Sequence, residues 1–165
     1  MIDKNNMDMG EVFDIDEMLN SKSYKRDPNK VILMYEIIIE CAIFWKSRQY
    51  YFQLVKSFLA KEIEGETFCS KFLSLRSGNI VEMHEIYRKV EQNDDLIPDI
   101  FYTSKSKKLT EAIDDIYIYV DRFDPTLDNN NWDDNWIVLN ESQLKWVIQE
   151  RYLSILEESC SYEIS

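Results

Sequence analysis

One long stretch of the chain excludes glycine and proline while repeating apolar side chains at helical spacing. Neither residue occurs between Lys30 and Ile63, and apolar residues return there every three or four positions. This period aligns them along one face of an α-helix. The stretch therefore predicts one long helix, bent near residues 47–49, with other helices covering its apolar face. The predicted core stripe consists of Ile32, Tyr35, Ile39, Ala42, Ile43, Tyr50, Leu54, Val55, Phe58 and Leu59.

Punctuating residues predict where this helix ends and where a short one follows. We expect residues 62–65 to stop the first helix, with Gly65 just past its end, because glycine is the usual residue there. Residues 67–75 then carry Phe68 and Phe72 at helical spacing. They predict a short second helix.

A third helix is predicted after Gly78, which we expect to break the chain. Asn79 followed three residues later by Glu82 has the form of a capping box, in which each side chain bonds the other residue's backbone. The helix should run to about Gln92.

Two more helices complete the predicted fold. Apolar residues recur at helical spacing over residues 109–122, and Asn140 with Gln143 predicts a capped final helix over residues 140–158. Short connections make consecutive helices neighbours. We therefore expect an all-α fold, an antiparallel bundle of four main helices plus one short helix.

Length and composition indicate one domain. The chain has 165 residues, of which 45% are hydrophobic, enough for a single core. Residues 1–29 are polar and acidic and end in a turn signal, which predicts a flexible acidic tail. Residues 30–165 are expected to form the bundle.

The charge balance excludes some classes of partner. With 31 Asp and Glu against 19 Lys and Arg, the net charge is -12, which opposes binding to phosphate backbones or anionic lipid. The most apolar stretch, residues 31–45, contains Glu36 and Glu40 and is shorter than the roughly 20 residues of a membrane span. We therefore expect no direct binding to nucleic acid or to membranes.

Residues for common enzyme chemistry are scarce. The single histidine, His84, cannot form the paired motifs of zinc or di-iron sites, so we predict no catalytic residue, no metal and no cofactor. The sequence leaves open a pair between His84 and either Cys41 or Cys69. Without a CxxC pair, the three cysteines indicate a reducing compartment such as the cytoplasm.

An acidic segment is the candidate binding surface. Between Glu111 and Asp134, eight carboxylates accompany one cation, Arg122, and aromatic residues lie among them. Such a surface can dock a basic protein, with carboxylates standing where phosphates would stand. The alternative is a solvated helix face and polar loop with the aromatic residues partly in the core. The candidate partner-binding residues are Asp114, Asp115, Tyr117, Asp121, Asp124, Asp128, Asp133 and Asp134.

A longer pattern of apolar and acidic positions resembles the bacterial self-protective colicin-like immunity family. It consists of Tyr51-x-x-Leu54-Val55-x-x-Phe58-Leu59, then Ile63-x-Gly65-x-x-Phe68, Asp114-Asp115-x-Tyr117 with Asp121, and Glu141-x-x-Leu144. The resemblance implies a non-catalytic acidic helical bundle that inhibits the basic, tRNA-cleaving domain of a bacteriocin. Related reading frames occur in plastid genomes, so the resemblance implies a plastid stroma as the alternative to the cytoplasm. This chain departs from the compact members in its greater length, its tail and its extended loop over residues 124–135.

Two other functions remain open from the sequence. A structural or assembly subunit of a larger complex, such as one in a plastid, would share the acidic bundle but expose an apolar patch. The other open function is an enzyme whose cofactor leaves no recognisable motif in the sequence.

Overall fold

The described part of the chain consists of helices joined by short turns and loops. A computed structural model describes residues 28–92, 104–130 and 135–161, and within these ranges there are four helices and no strand. The all-α prediction is therefore confirmed. The predicted tail lies outside the described residues except for positions 28 and 29, which begin the first helix. The helices are α1 (Pro28–Leu59), α2 (Gly65–Gln92), α3 (Ser104–Asp121) and α4, which comprises an α-helix (Glu141–Val147), a π-helical turn (Ile148–Tyr152) and a second α-helix (Leu153–Cys160).

Helices α1 and α2 form an antiparallel hairpin. Near the middle of α1, Lys46 pairs with Glu82 at 2.6 Å. Further along, the Phe58 ring stacks on that of Phe68, with centroids 4.4 Å apart. As residue numbers increase along α1, the residues that they contact in α2 have decreasing numbers, so the two helices run in opposite directions.

Helix α4 also runs antiparallel to α1. The Arg48 guanidinium donates to the carbonyl of Ser159 near the end of α4, whereas Lys145 near its start lies 4.9 Å from the Phe58 ring. The core lies between these helices and α3. Its largest fully buried side chains are Phe44, Tyr51, Phe58, Phe68, Phe72, Ile39, Leu109, Ile113, Ile116, Leu139, Leu144 and Ile148.

The predicted stripe on α1 is correct for most of its described members and wrong for Tyr50. That ring is 70% exposed, whereas the neighbouring Tyr51 is fully buried. Consecutive positions on a helix point about 100° apart, so the rotation that places Tyr51 at the centre of the core directs Tyr50 toward solvent. The ring of Tyr51 packs edge-on against Phe72 of α2.

The predicted break at Gly78 is wrong, because α2 continues through it. The predicted short helix over residues 67–75 and the helix after it are therefore one helix. Asn79 does not cap a helix: its buried side chain accepts a hydrogen bond from the Tyr51 hydroxyl at 2.8 Å and donates one to Ser47 Oγ at 2.8 Å. Glu82, its expected capping partner, pairs with Lys46 instead.

Gly65 begins α2 and does not follow the end of α1. Helix α1 ends at Leu59, and Lys61 supplies the left-handed backbone of the turn with φ 62°. At Gly65 the side chains of Phe123 and Glu141 approach the backbone closely. An added Cβ would lie 2.6 Å from Phe123 Cζ and 3.0 Å from Glu141 Oε2. The bare backbone lets the loop after α3 pack onto the start of α2.

The predictions for α3 and α4 agree with the structure. Residues 117–120 are aromatic and β-branched and would favour a strand in isolation, but α3 continues through them as a helix. Burial of the apolar stripe of α3 outweighs that local preference. The capping box at the start of α4 is confirmed: Asn140 accepts from the Gln143 backbone at 2.8 Å, and the Gln143 side chain accepts from the Asn140 backbone at 3.1 Å.

Candidate functional site

The exposed side of α3 carries acidic residues from Glu111 to Asp121, and Lys107, one turn earlier, lies 3.9 Å from Glu111. Glu111, Asp115 and Asp121 are exposed, and Asp114 is half-exposed. The opposite side holds the buried residues Leu109, Ala112, Ile113, Ile116 and Val120. From Glu111 to Asp121 the helix rises about 15 Å. Burial of the apolar stripe therefore fixes a row of carboxylates on a rigid outer face, with the 45% exposed Ile118 among them.

Asp114 has a cationic partner that the local sequence does not show. Arg76 of α2 donates to Asp114 Oδ1 at 2.9 Å, and its guanidinium lies 4.1 Å from the centroid of the Tyr117 ring. The side chain of Arg76 is only 19% exposed. Part of the Asp114 charge is thus compensated within the protein, and one side of Tyr117 is covered. Of the candidate residues on α3, these two are the least available to a partner.

Asp115 and Tyr119 lie on the side of α3 that meets α4. The Tyr152 hydroxyl lies 3.2 Å from Asp115 Oδ2 and donates to it, and Arg151 donates to the Tyr119 hydroxyl at 2.9 Å. Both partners come from the π-helical turn of α4. Burial, followed by the Asp115 charge, raises the pKa of Tyr152, so that its hydroxyl keeps its proton. Asp115 is exposed even though it makes this contact.

The loop after α3 holds Asp124 and Asp128 in local turns. Asp124 Oδ1 accepts from the Thr126 backbone at 2.8 Å and from its hydroxyl at 2.7 Å, and these bonds lower the pKa of Asp124. Asp128 Oδ1 accepts in the same way from the Asn130 backbone at 2.9 Å. Both side chains therefore shape the loop. Asp133 and Asp134 lie outside the described residues.

The two ends of this loop are tied together at the base of α4. The Asp124 backbone N–H donates to the Leu139 carbonyl at 2.9 Å, and the Leu139 N–H donates to the Arg122 carbonyl at 2.8 Å. The Asn140 side chain donates to the Asp128 carbonyl at 3.0 Å. The acidic turns are therefore adjacent to residues 136–140, although up to sixteen positions separate them in sequence.

Residues just before α4, and Trp146 within its first segment, expose apolar side chains that sequence reasoning missed. Ile137 is 68% exposed, Trp146 is 40% exposed and Val138 is 37% exposed. The rings of Trp136 and Trp146 lie 5.7 Å apart. We call Trp136, Ile137, Val138 and Trp146 the tryptophan cluster. The signal was the apolar run of residues 136–139 directly after a polar acidic loop, which helical periodicity does not explain.

The surroundings of His84, Cys41 and Cys69 bear on the histidine–cysteine pair that the sequence leaves open. His84 is exposed on α2, and Cys69 lies fifteen residues earlier on the same helix, a rise of about 22 Å. The thiol of Cys41 is buried and hydrogen bonds to Thr110 of α3. Burial raises the pKa of both thiols, that of Cys69 to about 12, which disfavours the reactive thiolate.

Among the described residues, no group of three or more His, Cys, Asp or Glu side chains is placed to hold a metal ion. Over the same part of the chain, every helix falls short of the length and apolarity needed to cross a membrane.

No protein-family model matches the chain, and no curated protein or solved structure matches it either.

Proposed function

We propose that this protein is a non-catalytic inhibitor of the colicin-like immunity type, which binds and blocks a basic, tRNA-cleaving toxin domain. The observation that carries the proposal is the row of exposed carboxylates on α3, Glu111, Asp115 and Asp121, continued by Asp124 and Asp128 in the adjoining loop. The resemblance described above supplies the class of partner. The exposure of these carboxylates supports α3 and its adjoining loop as the contact surface.

The physical basis is mimicry of a nucleic acid by carboxylates. An enzyme that cleaves tRNA must present a positively charged surface to the phosphates of its substrate. A rigid row of carboxylates can occupy that surface without losing much conformational freedom on binding, because the helix already fixes the backbone. The net charge of -12 would steer association at a distance and make it fast at low salt.

Not every candidate residue is expected to contribute equally. Asp114 already has Arg76 as a partner, so its contribution to a complex should be smaller than that of Asp121. Asp124 and Asp128 hold turns, so their replacement would alter the loop as well as the charge. Asp121 is therefore the position at which a change in charge tests the proposal most cleanly.

The test is inhibition of tRNA cleavage by purified toxin domains of the colicin type. We expect the full chain to inhibit at least one domain of a panel at near-stoichiometric ratio in low salt (about 0.02 M), and less in high salt (about 0.5 M), because salt screens exposed charges. Asp121→Lys should weaken the inhibition. The matched control is Glu85→Lys, which makes the same change in net charge at an exposed position on α2.

Equal effects of the two substitutions would show that only net charge matters, and would contradict a docking surface on α3. Failure to inhibit any domain would contradict the inhibitor function. Cytochrome c, a basic protein that does not cleave RNA, serves as the control for non-specific attraction and should not compete.

A second candidate function is a structural or assembly subunit of a larger complex, such as one in a plastid. The exposed tryptophan cluster favours it, because exposed apolar patches mark protein interfaces. Capture from the native source separates the two functions. A basic nuclease released by high salt supports the inhibitor, whereas a set of subunits that resists high salt supports the structural role.

A further inference from the structure

The tryptophan cluster is a candidate contact site that the carboxylate row does not explain. Its most exposed member, Ile137, is 68% exposed to solvent. Trp146 is 40% exposed, although its ring lies beside that of Trp136. A single exposed apolar side chain is ordinary, but here the ring of Trp136 in the loop contacts that of Trp146 in the helix, and the exposed Ile137 and Val138 directly follow Trp136. Trp146 belongs to the first α-helical segment of α4, so one side of the patch is rigid.

The backbone presents the cluster in a defined conformation. Trp136 adopts the left-handed region at φ 53°, which a bulky residue rarely occupies. Arg122 donates to the Trp136 carbonyl at 3.4 Å, and the Leu139 backbone is bound on both sides by the start of the loop. These contacts hold both ends of residues 136–139, with the unusual backbone angle at Trp136 and the exposed Ile137 between them. Strain of this kind is found at binding sites, where it lowers the ordering that a partner must impose.

The charges beside the cluster select among possible occupants. Leu139 bonds the backbone of Asp124, and Asn140 bonds that of Asp128, so both acidic turns are bonded to the two residues that directly follow Val138 of the cluster. A second copy of this chain would bring the same acidic turns and another net charge of -12 to the contact. A basic protein would pair its cations with them.

We propose that the tryptophan cluster is the apolar anchor of the acidic docking surface, and that it receives a hydrophobic side chain flanked by lysine or arginine on a basic protein partner. This inference rests on the proposed function, since it assigns the centre of the same interface. Interfaces of this kind place an apolar anchor at the centre and charged pairs at the rim. The carboxylates then govern the rate and salt dependence of association, and the cluster governs how slowly the complex dissociates.

The test uses three fluorescently labelled synthetic peptides of equal length and the full chain. One peptide contains lysine and serine only, the second replaces the central serine by leucine, and the third is the leucine peptide with glutamate for lysine. We expect the lysine-leucine peptide to bind about tenfold more tightly than the lysine-serine peptide, because it buries one apolar side chain. The glutamate peptide should not bind.

Two variants locate the effect. Ile137→Ser should remove the tenfold difference between the two lysine peptides, whereas Val81→Ser, at a 58% exposed position on α2, should leave it unchanged. Both side chains lie largely in solvent, so both variants should fold, which circular dichroism checks. Trp146→Gln is the second variant at the cluster and should act like Ile137→Ser.

Three outcomes would overturn the proposal. If both lysine peptides bind alike and Ile137→Ser has no effect, the anchor is wrong while docking through charge still stands. If no peptide binds, the cluster is not an anchor, and the toxin-panel assay judges the inhibitor function separately. If sedimentation shows dimers that Ile137→Ser dissociates, a second copy occupies the cluster.

Discussion

Two glycines in α2 should respond to alanine in opposite directions. Gly78 lies inside the helix, and a Cβ added there would meet no heavy atom within 4 Å. Alanine is about 1 kcal/mol more favourable than glycine in a helix interior, so Gly78→Ala should stabilise the protein by about that amount. For a chain of this size, this corresponds to a rise in melting temperature of about 2–4 °C.

At Gly65 the added Cβ would lie 2.6 Å from Phe123 Cζ, closer than such contacts allow. Moving a packed ring costs about 1–3 kcal/mol. Neither glycine has a positive φ, so alanine can adopt the same backbone conformation. Alanine also lowers the conformational entropy of the unfolded chain, and this offsets up to about 1 kcal/mol of the cost of moving the ring. Gly65→Ala should therefore destabilise the protein by about 1–2 kcal/mol and displace the base of the acidic loop.

The assay is urea unfolding followed by far-ultraviolet circular dichroism, with the dependence on urea checked for each variant. If Gly78→Ala lowered the free energy of unfolding, the helix would not continue through this position, and the break that the sequence predicts would be correct. If Gly65→Ala were neutral, Phe123 would not pack as described. A change in urea dependence would show that the unfolded or native state itself had altered.

Three further substitutions test polar contacts. Asn79→Ala should destabilise the protein by about 2–4 kcal/mol, because it removes two buried hydrogen bonds and leaves the Tyr51 hydroxyl unpaired; urea unfolding measures it. Burial, followed by the charge of Asp114, raises the pKa of Glu40, so the ionised carboxylate opposes folding. Glu40→Gln should therefore raise the free energy of unfolding at neutral pH but not in acid, where Glu40 is protonated. Burial alone would raise the pKa of Glu141, but hydrogen bonds from Lys145 and a backbone N–H outweigh it, so the pKa is lowered. Glu141→Gln should therefore destabilise the protein at neutral pH, and the loss of stability should shrink as the pH falls through the lowered pKa.

Each of these has a contradicting result. Tyr51→Phe removes the hydroxyl together with its bond and should cost less than Asn79→Ala; the reverse order would contradict the buried network. For Glu40→Gln, a stability gain confined to acid would have the wrong sign. For Glu141→Gln, a loss that grew on acidification would contradict the ion pair with Lys145.

The helices that local periodicity predicted are those whose burial follows one simple stripe. α3 is an example: residues 109, 112, 113, 116 and 120 recur at helical spacing, and all are buried. The capping box of Asn140 and Gln143 was also legible, because both partners lie within one turn of the chain. Local bonding suffices for such features.

Gly78 and Asn79 misled the same reasoning because their role depends on another helix. A glycine followed by asparagine is a common boundary signal. Here the asparagine side chain bonds Tyr51 and Ser47 of α1, and the packing of α2 on α1 outweighs the low helix propensity of one glycine. No pattern within residues 77–82 contains that information.

The candidate site divides in the same way. The sequence alone determined its acidic character, the net charge of -12 and the helix that carries Glu111 to Asp121, because composition and helical period need no neighbours. Tertiary structure decided which charges stay exposed, since the Arg76 that pairs with Asp114 comes from another helix. It also decided that the tryptophan cluster lies beside the acidic turns, because contact across a loop depends on how the chain closes in space and not on its local order.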